Sequence, residues 1–159
     1  MVSGKLFFGV MFSNRTVYNN CLNDLIKKFG EIEKESSEYD FNFTDYYEKE
    51  MGKNLRKKII IFKKEITEKD LIDIKKYISK IEKKYSVNNK RKINIDPGFF
   101  AKEKVVLASF KKKDFKEDSG EGVYAHEVLR FEDGEVKEFW HTFPDFKEEK
   151  IQRFFFKTN

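Results

Sequence analysis

The stretch 55-LRKKIIIFKKEITEKDLIDIKKYISKIEKKY-85 changes its apolar period part-way along. Its first half, 55–66, is centred on the run Ile59 to Phe62 and reads as a strand. Beyond Thr67 the apolar residues fall at Leu71, Ile74, Ile78, Ile81 and Tyr85, spacings of three and four that draw one stripe along a helix. The junction carries a helix start: Thr67 as cap, Asp70 at the capping-box position, and Ile66 with Leu71 placed as a hydrophobic staple. A strand feeds directly into a capped helix.

The same pair of elements opens the chain. Leu6 to Phe12 is an unbroken apolar run, as expected of a strand buried on both faces. After it, Ser13 or Asn14 can cap a helix carrying Tyr18, Leu22, Leu25 and Phe29, with Gly30 placed to end it. Tyr39, Phe41 and Phe43 then alternate with polar residues as a half-buried strand, and 90-KRKINID-96 supplies another, with Ile93 and Ile95 inward and Asp96-Pro97-Gly98 breaking it. The order strand, helix, strand, strand, helix, strand predicts an α+β fold with a ferredoxin-like βαββαβ core. Val105 to Phe110 extends the antiparallel sheet, 111–122 reads as a charged loop, and Asp133-Gly134 joins Val123–Glu132 to Glu135–Phe143 as a hairpin. A terminal helix from 145-DFKEEKIQRFFF-156 should dock Phe146, Ile151, Phe154 and Phe155 on the sheet.

With 159 residues the chain suits a single domain, since a chain of roughly this size buries about 70% of its unfolded surface. Its 18 phenylalanines and 7 tyrosines fill such a core readily. Cys21 is the sole cysteine, which excludes an intramolecular disulfide and a paired-thiolate zinc site. No segment approaches the roughly 18 apolar residues of a membrane span, and the first residues lack a signal-peptide pattern, so a cytoplasmic protein is expected. The charge of +5 suits an anionic partner such as RNA, a nucleotide or an acidic lipid surface. The Lys-, Glu- and Ile-rich style equally matches the solvated surface of a thermophile.

A two-residue turn fixes the hairpin register. His126 then lies opposite His141, a pair that could supply half a metal site, and Glu127 lies opposite Trp140. Glu127 shares its face with Val123, Ala125, Leu129, Phe131, Val136, Trp140 and Thr142, and needs a partner or a rim position there. In 41-FNFTDYYEKEMG-52, Asp45 and Glu48 have capping-box spacing, so a short helix should end at Gly52 with Tyr47 and Met51 inward and Tyr46 and Glu50 outward. Thr44, Asp45, Tyr46 and Glu50 are therefore candidate pocket residues. The turn at 94–100 adds Asn94 and Asp96, and the strand ends add Tyr124, Glu127, Trp140 and Asp145, with Asp145 a natural cap for the terminal helix. Convergence of these carboxylates would suit a divalent cation or acid–base chemistry.

Phosphate-loop, dinucleotide, HExxH and CxxC signatures are absent, as is a nucleophile elbow. Lys90, Arg91 and Lys92, with Lys111, Lys112 and Lys113, could instead follow a nucleic-acid backbone, with Phe99 and Phe100 available for stacking. The segments 5-KLFFGVMFS-13, 43-FTDYYEKEMG-52, 94-NIDPGFF-100, 104-KVVLAS-109, 122-GVYAHEVL-129 and 139-FWHTFPDF-146 together resemble an uncharacterised prokaryotic domain-of-unknown-function family, DUF4416. That resemblance implies no activity, cofactor or catalytic residue. Where such relatives tend to carry a histidine- and arginine-containing strand after the LAS segment, this chain has 110-FKKKDFKEDSGEG-122. The expectation is a pocket at the sheet ends for a nucleotide or another phosphorylated metabolite, with room for a divalent cation; the alternative is a non-catalytic RNA-binding module. Whether such a pocket is catalytic stays open.

Overall fold

The unbroken apolar run near the start becomes strand β1 (Ser3–Phe12), buried on both faces from Leu6 onward in a computed structural model that describes residues 3–156. Asn14 caps helix α1 (Arg15–Phe29), its Oδ1 accepting the Val17 N–H at 3.0 Å. Gly30 ends that helix at φ 97°, a left-handed angle that glycine adopts without strain. Two edge strands follow, β2 (Ile32–Glu35) and β3 (Tyr39–Asp40), then the short helix α2 (Glu48–Met51). Strand β4 (Arg56–Thr67) runs through a single 3-10 turn into α3 (Leu71–Lys84), and the Thr67 N–H donates to Asp70 Oδ2 at 2.8 Å as the capping box requires. Strands β5 (Ile93–Ala101), β6 (Lys104–Ser109), β7 (Glu117–Gly120), β8 (Val123–Glu132) and β9 (Glu135–Glu138) precede a 3-10 turn at Pro144–Lys147 and helix α4 (Glu149–Phe155).

The result is a mixed α+β fold on one large antiparallel sheet, ordered β2-β4-β1-β5-β6-β8-β7, with β3 on β4 and β9 on β8. Both faces are covered. Leu6, Phe8, Val10 and Phe12 of β1 meet Leu25 of α1 and Ile74, Ile78 and Ile81 of α3. On the other face Phe7, Ile59, Ile61, Val105 and Leu107 lie under Phe146, Ile151, Phe155 and Phe156 of the C-terminal segment, while Met51 of α2 packs on Met11 and Leu55. Each such side chain contributes about 1.5–3 kcal/mol when fully buried. Among the described residues no helix is long and apolar enough to cross a membrane.

Several local expectations are overturned. The Asp96-Pro97-Gly98 segment is no turn: β5 runs straight through it, with Pro97 opposite Phe8 and Gly98 opposite both Phe7 and Leu107. Pro97 is tolerated because β6 joins the ladder only from Gly98 onward. Gly98 is there for closeness, since a Cβ would sit 2.2 Å from the Val106 carbonyl oxygen and 2.7 Å from the Phe7 ring. Phe99 is fully buried and Phe100 half-buried, so neither is free to stack on a base. The alternating strand expected from Tyr39 to Phe43 reduces to β3, and β2 and β7 form where no strand was expected.

The hairpin holds its register from Glu132 opposite Glu135 to Leu129 opposite Glu138, then stops. Thr142 Oγ1 accepts the Phe139 N–H at 2.8 Å and donates to the Val128 carbonyl at 2.6 Å, which curls the chain away. A bulge at Val128, where Val106 faces Glu127 but Val105 faces Leu129, also breaks the alternation. Val123 and Ala125 therefore belong to the helix-side core, and Leu129, Phe131 and Val136 to the opposite one. Trp140, expected on one face with Val123, Ala125 and Leu129, is instead 81% exposed.

Candidate functional site

At one end of the sheet the start of β5, the end of β6, the loop 110–116, α3 and the turn before α2 enclose a cavity of about 500 Å³. That volume lies within the usual range of small-molecule sites. Its floor is polar and braced. Glu50 accepts from Arg91 Nε and Nη2 at 2.9 Å each and from the Arg91 backbone N–H at 3.1 Å. Arg91 Nη1 donates on to Asn94 Oδ1 at 2.7 Å, and Asn94 Nδ2 to Asp96 Oδ2 at 3.3 Å. Glu82 Oε2 takes the Ile95 N–H at 2.8 Å. The Arg91 hydrogen bonds hold the Glu50 carboxyl below its ordinary range, so this arginine is already neutralised.

The walls are lysines and aromatic rings. Lys75 comes from α3, and Lys111, Lys113 and Lys116 come from the loop. Lys116 Nζ donates to Ser109 Oγ at 3.1 Å and to the Lys111 carbonyl at 3.2 Å. Burial pulls its ammonium below the ordinary lysine value, and Lys111, Lys113 and Lys75 push the same way. Tyr46, Phe110, Phe115 and Phe143 supply the rings, with Lys111 Nζ 5.5 Å from the Tyr46 centroid and Lys75 Nζ 5.2 Å from that of Phe110.

His126 closes the back wall. Its Nε2 lies 2.9 Å from His141 Nδ1, so the expected meeting of the two histidines occurs, although through side chains beyond the end of the ladder. Burial, then Lys116 and His141, lowers the His126 pKa to about 4, and its buried Nδ1 has no partner among the described residues. Phe115 stacks on His141 at 4.3 Å and Phe143 sets its edge on His126 at 4.8 Å. Among the described residues no three or more His, Cys, Asp or Glu side chains are placed to hold a metal ion.

The expected residues divide. Tyr46, Asn94, Asp96, Lys111, Lys113 and His126 line the cavity, and Glu50 anchors it through Arg91. Thr44 and Asp45 line a separate depression beside Lys53, and Asp45 does not cap α2: its backbone carbonyl takes the Glu48 N–H while Thr44 Oγ1 takes the Tyr46 N–H at 3.1 Å. Glu127 lies with Glu68, Glu117 and His141 in a smaller hollow and forms a two-point ion pair with Arg130 at 2.8 and 2.9 Å, the rim position its pattern allowed. Tyr124 is half-buried opposite Ser109. Asp145 caps nothing; it is buried, accepting from Tyr39 Oη and Lys57 Nζ at 2.8 Å each. The five carboxylates do not converge.

Lys75, Ser79, Glu82, Phe110, Phe115 and Lys116 belong to the cavity without having been singled out. A signal existed for the first three, which recur at spacings of four and three beside the apolar stripe of α3. The sequence model of a family described as Domain of unknown function (DUF4416) matches residues 2–159. In comparisons with curated proteins and with solved structures, nothing matches the chain.

Proposed function

The chain belongs to the DUF4416 family, and from the geometry of its own cavity we propose that it binds a small phosphorylated molecule there. The observation that carries this reading is the set Lys75, Lys111, Lys113 and Lys116: four lysines in one cavity, none of them in an ion pair among the described residues. Unpaired like charges held together destabilise the free protein, and a phosphate group relieves that repulsion with charge-assisted hydrogen bonds. Glu82 and Asp96 are the acids in the same lining. A divalent cation would enter with the phosphates, meeting Asp96, since the carboxylates assemble no cage of their own. The strand order β2-β4-β1-β5 with α1 and α3 on one face supports reading residues 3–101 as a ferredoxin-like core that sets this cavity at its end.

The RNA-binding alternative has weaker support. Arg91 is consumed by Glu50, and Phe99 is buried. The test is thermal stabilisation and calorimetric affinity for pyrophosphate in wild type and Lys116→Met. Pyrophosphate should raise the melting temperature of the wild type. The substitution should weaken binding at least tenfold while leaving the free protein close to wild-type stability, because removing a charge that burial disfavours offsets the lost hydrogen bonds to Ser109 Oγ and the Lys111 carbonyl. Undiminished binding by Lys116→Met would refute the assignment.

A further inference from the structure

Of the large apolar side chains left exposed, Tyr46, Phe110 and Phe143 line this one cavity, at 68%, 48% and 40% exposure. Trp140, more exposed still, sets its ring edge against the Phe115 wall at 5.1 Å. Exposed aromatics concentrated at one rim mark a recognition surface, since scattered ones would need no explanation. Two of these rings are occupied in a telling way: the Lys111 ammonium lies over Tyr46 and the Lys75 ammonium over Phe110.

We infer that the ligand carries a planar nucleobase beside its phosphate, and that the two lysines hold the ring faces of Tyr46 and Phe110 until the phosphate draws them away. This rests on the phosphate-binding reading and narrows it from any phosphorylated metabolite to a nucleotide. The attraction of an ammonium for an exposed ring is weak, whereas a phosphate offers it full opposite charge and short hydrogen bonds. Once Lys111 and Lys75 turn to the phosphate, both ring faces are bare apolar surface. A base stacks on such a face whatever its hydrogen-bonding edge, so the site discriminates nucleotides from sugar phosphates more sharply than one base from another. Phosphate and base binding are thereby coupled, because each step leaves the other's partner uncovered.

The test is isothermal calorimetry of AMP, GMP, CMP, ribose 5-phosphate and pyrophosphate on wild type and Tyr46→Ala. Tyr46 is exposed enough that its removal should leave the melting temperature unchanged, which is checked first. The expected result is that at least one nucleotide binds wild type ten or more times tighter than ribose 5-phosphate. In Tyr46→Ala that advantage should fall to about twofold, while pyrophosphate affinity is not lowered, because Lys111 no longer has to leave the Tyr46 ring. Equal affinity for nucleotides and ribose 5-phosphate, or a Tyr46→Ala loss shared equally by pyrophosphate, overturns the nucleobase inference and leaves phosphate binding standing. Failure of every probe to bind wild type overturns both.

Discussion

Lys57 and Asp145 are charged residues on the inside of the molecule, 4% and 1% exposed, and their 2.8 Å ion pair joins β4 to the C-terminal segment. Burial opposes the Lys57 charge, yet the Asp145 and Asp96 carboxylates outweigh it and hold the ammonium above its ordinary value. Tyr39 Oη completes the set, and Phe41 and Phe146 present their ring faces to Lys57. Breaking a buried pair by removing one partner strands the other charge. Lys57→Met is therefore expected to cost about 3–5 kcal/mol in denaturant unfolding, and Lys57→Met with Asp145→Leu markedly less than the sum of the singles. His126 makes a second prediction at this scale. Its folded pKa of about 4 lies below the ordinary 6.5, so above pH 6.5 its contribution to stability is complete. As pH falls from 6.5 to 4 the unfolded chain takes up a proton that the folded one refuses, and about 3 kcal/mol should be lost. A His126→Phe variant should flatten that part of the stability profile; an unchanged slope would deny the histidine its buried neutral state.

Among elements, β1, α1, β4 and α3 were legible because their patterns are long and each carries its own start and stop signals, as at Asn14, Gly30 and Thr67. The misreadings concern local chemistry that tertiary contact overrides. Pro97 and Gly98 carry a turn signature, but the approach of Val106 and Phe7 requires glycine there for space. Gly98→Ala is accordingly expected to cost about 2 kcal/mol or more by overpacking, measured as a lowered denaturant midpoint. The bulge at Val128 left no mark in the sequence, and from it follows the separation of Glu127 from Leu129 onto opposite faces. Site residues were legible in part. Tyr46, in the turn before α2, and Glu50, on α2, stood out because this segment buries Met51 instead, whereas Phe115 and Lys116 lay in a stretch whose charge suggested only solvation.

For the whole molecule the distribution of charge matters more than its sum. Many basic residues are paired on the surface, as Arg15 and Arg56 are with Glu38 and Lys84 with Asp24. Those pairs contribute little individually. Among the described residues, the four lysines gathered around one aromatic-rimmed cavity form no ion pair and outnumber the two acids of its lining, Glu82 and Asp96, and that asymmetry is the basis of the proposed function. Because Lys116 loses its proton below the ordinary lysine value of 10.5, pyrophosphate affinity should begin to fall at a lower pH than the titration of an ordinary lysine would give. The most direct test is lysine-acylation footprinting by mass spectrometry with and without saturating pyrophosphate. Pyrophosphate should protect Lys75, Lys111, Lys113 and Lys116 and leave Lys90 and Lys92 unchanged; protection spread evenly over surface lysines, or centred on Lys90 and Lys92, would place phosphate binding elsewhere.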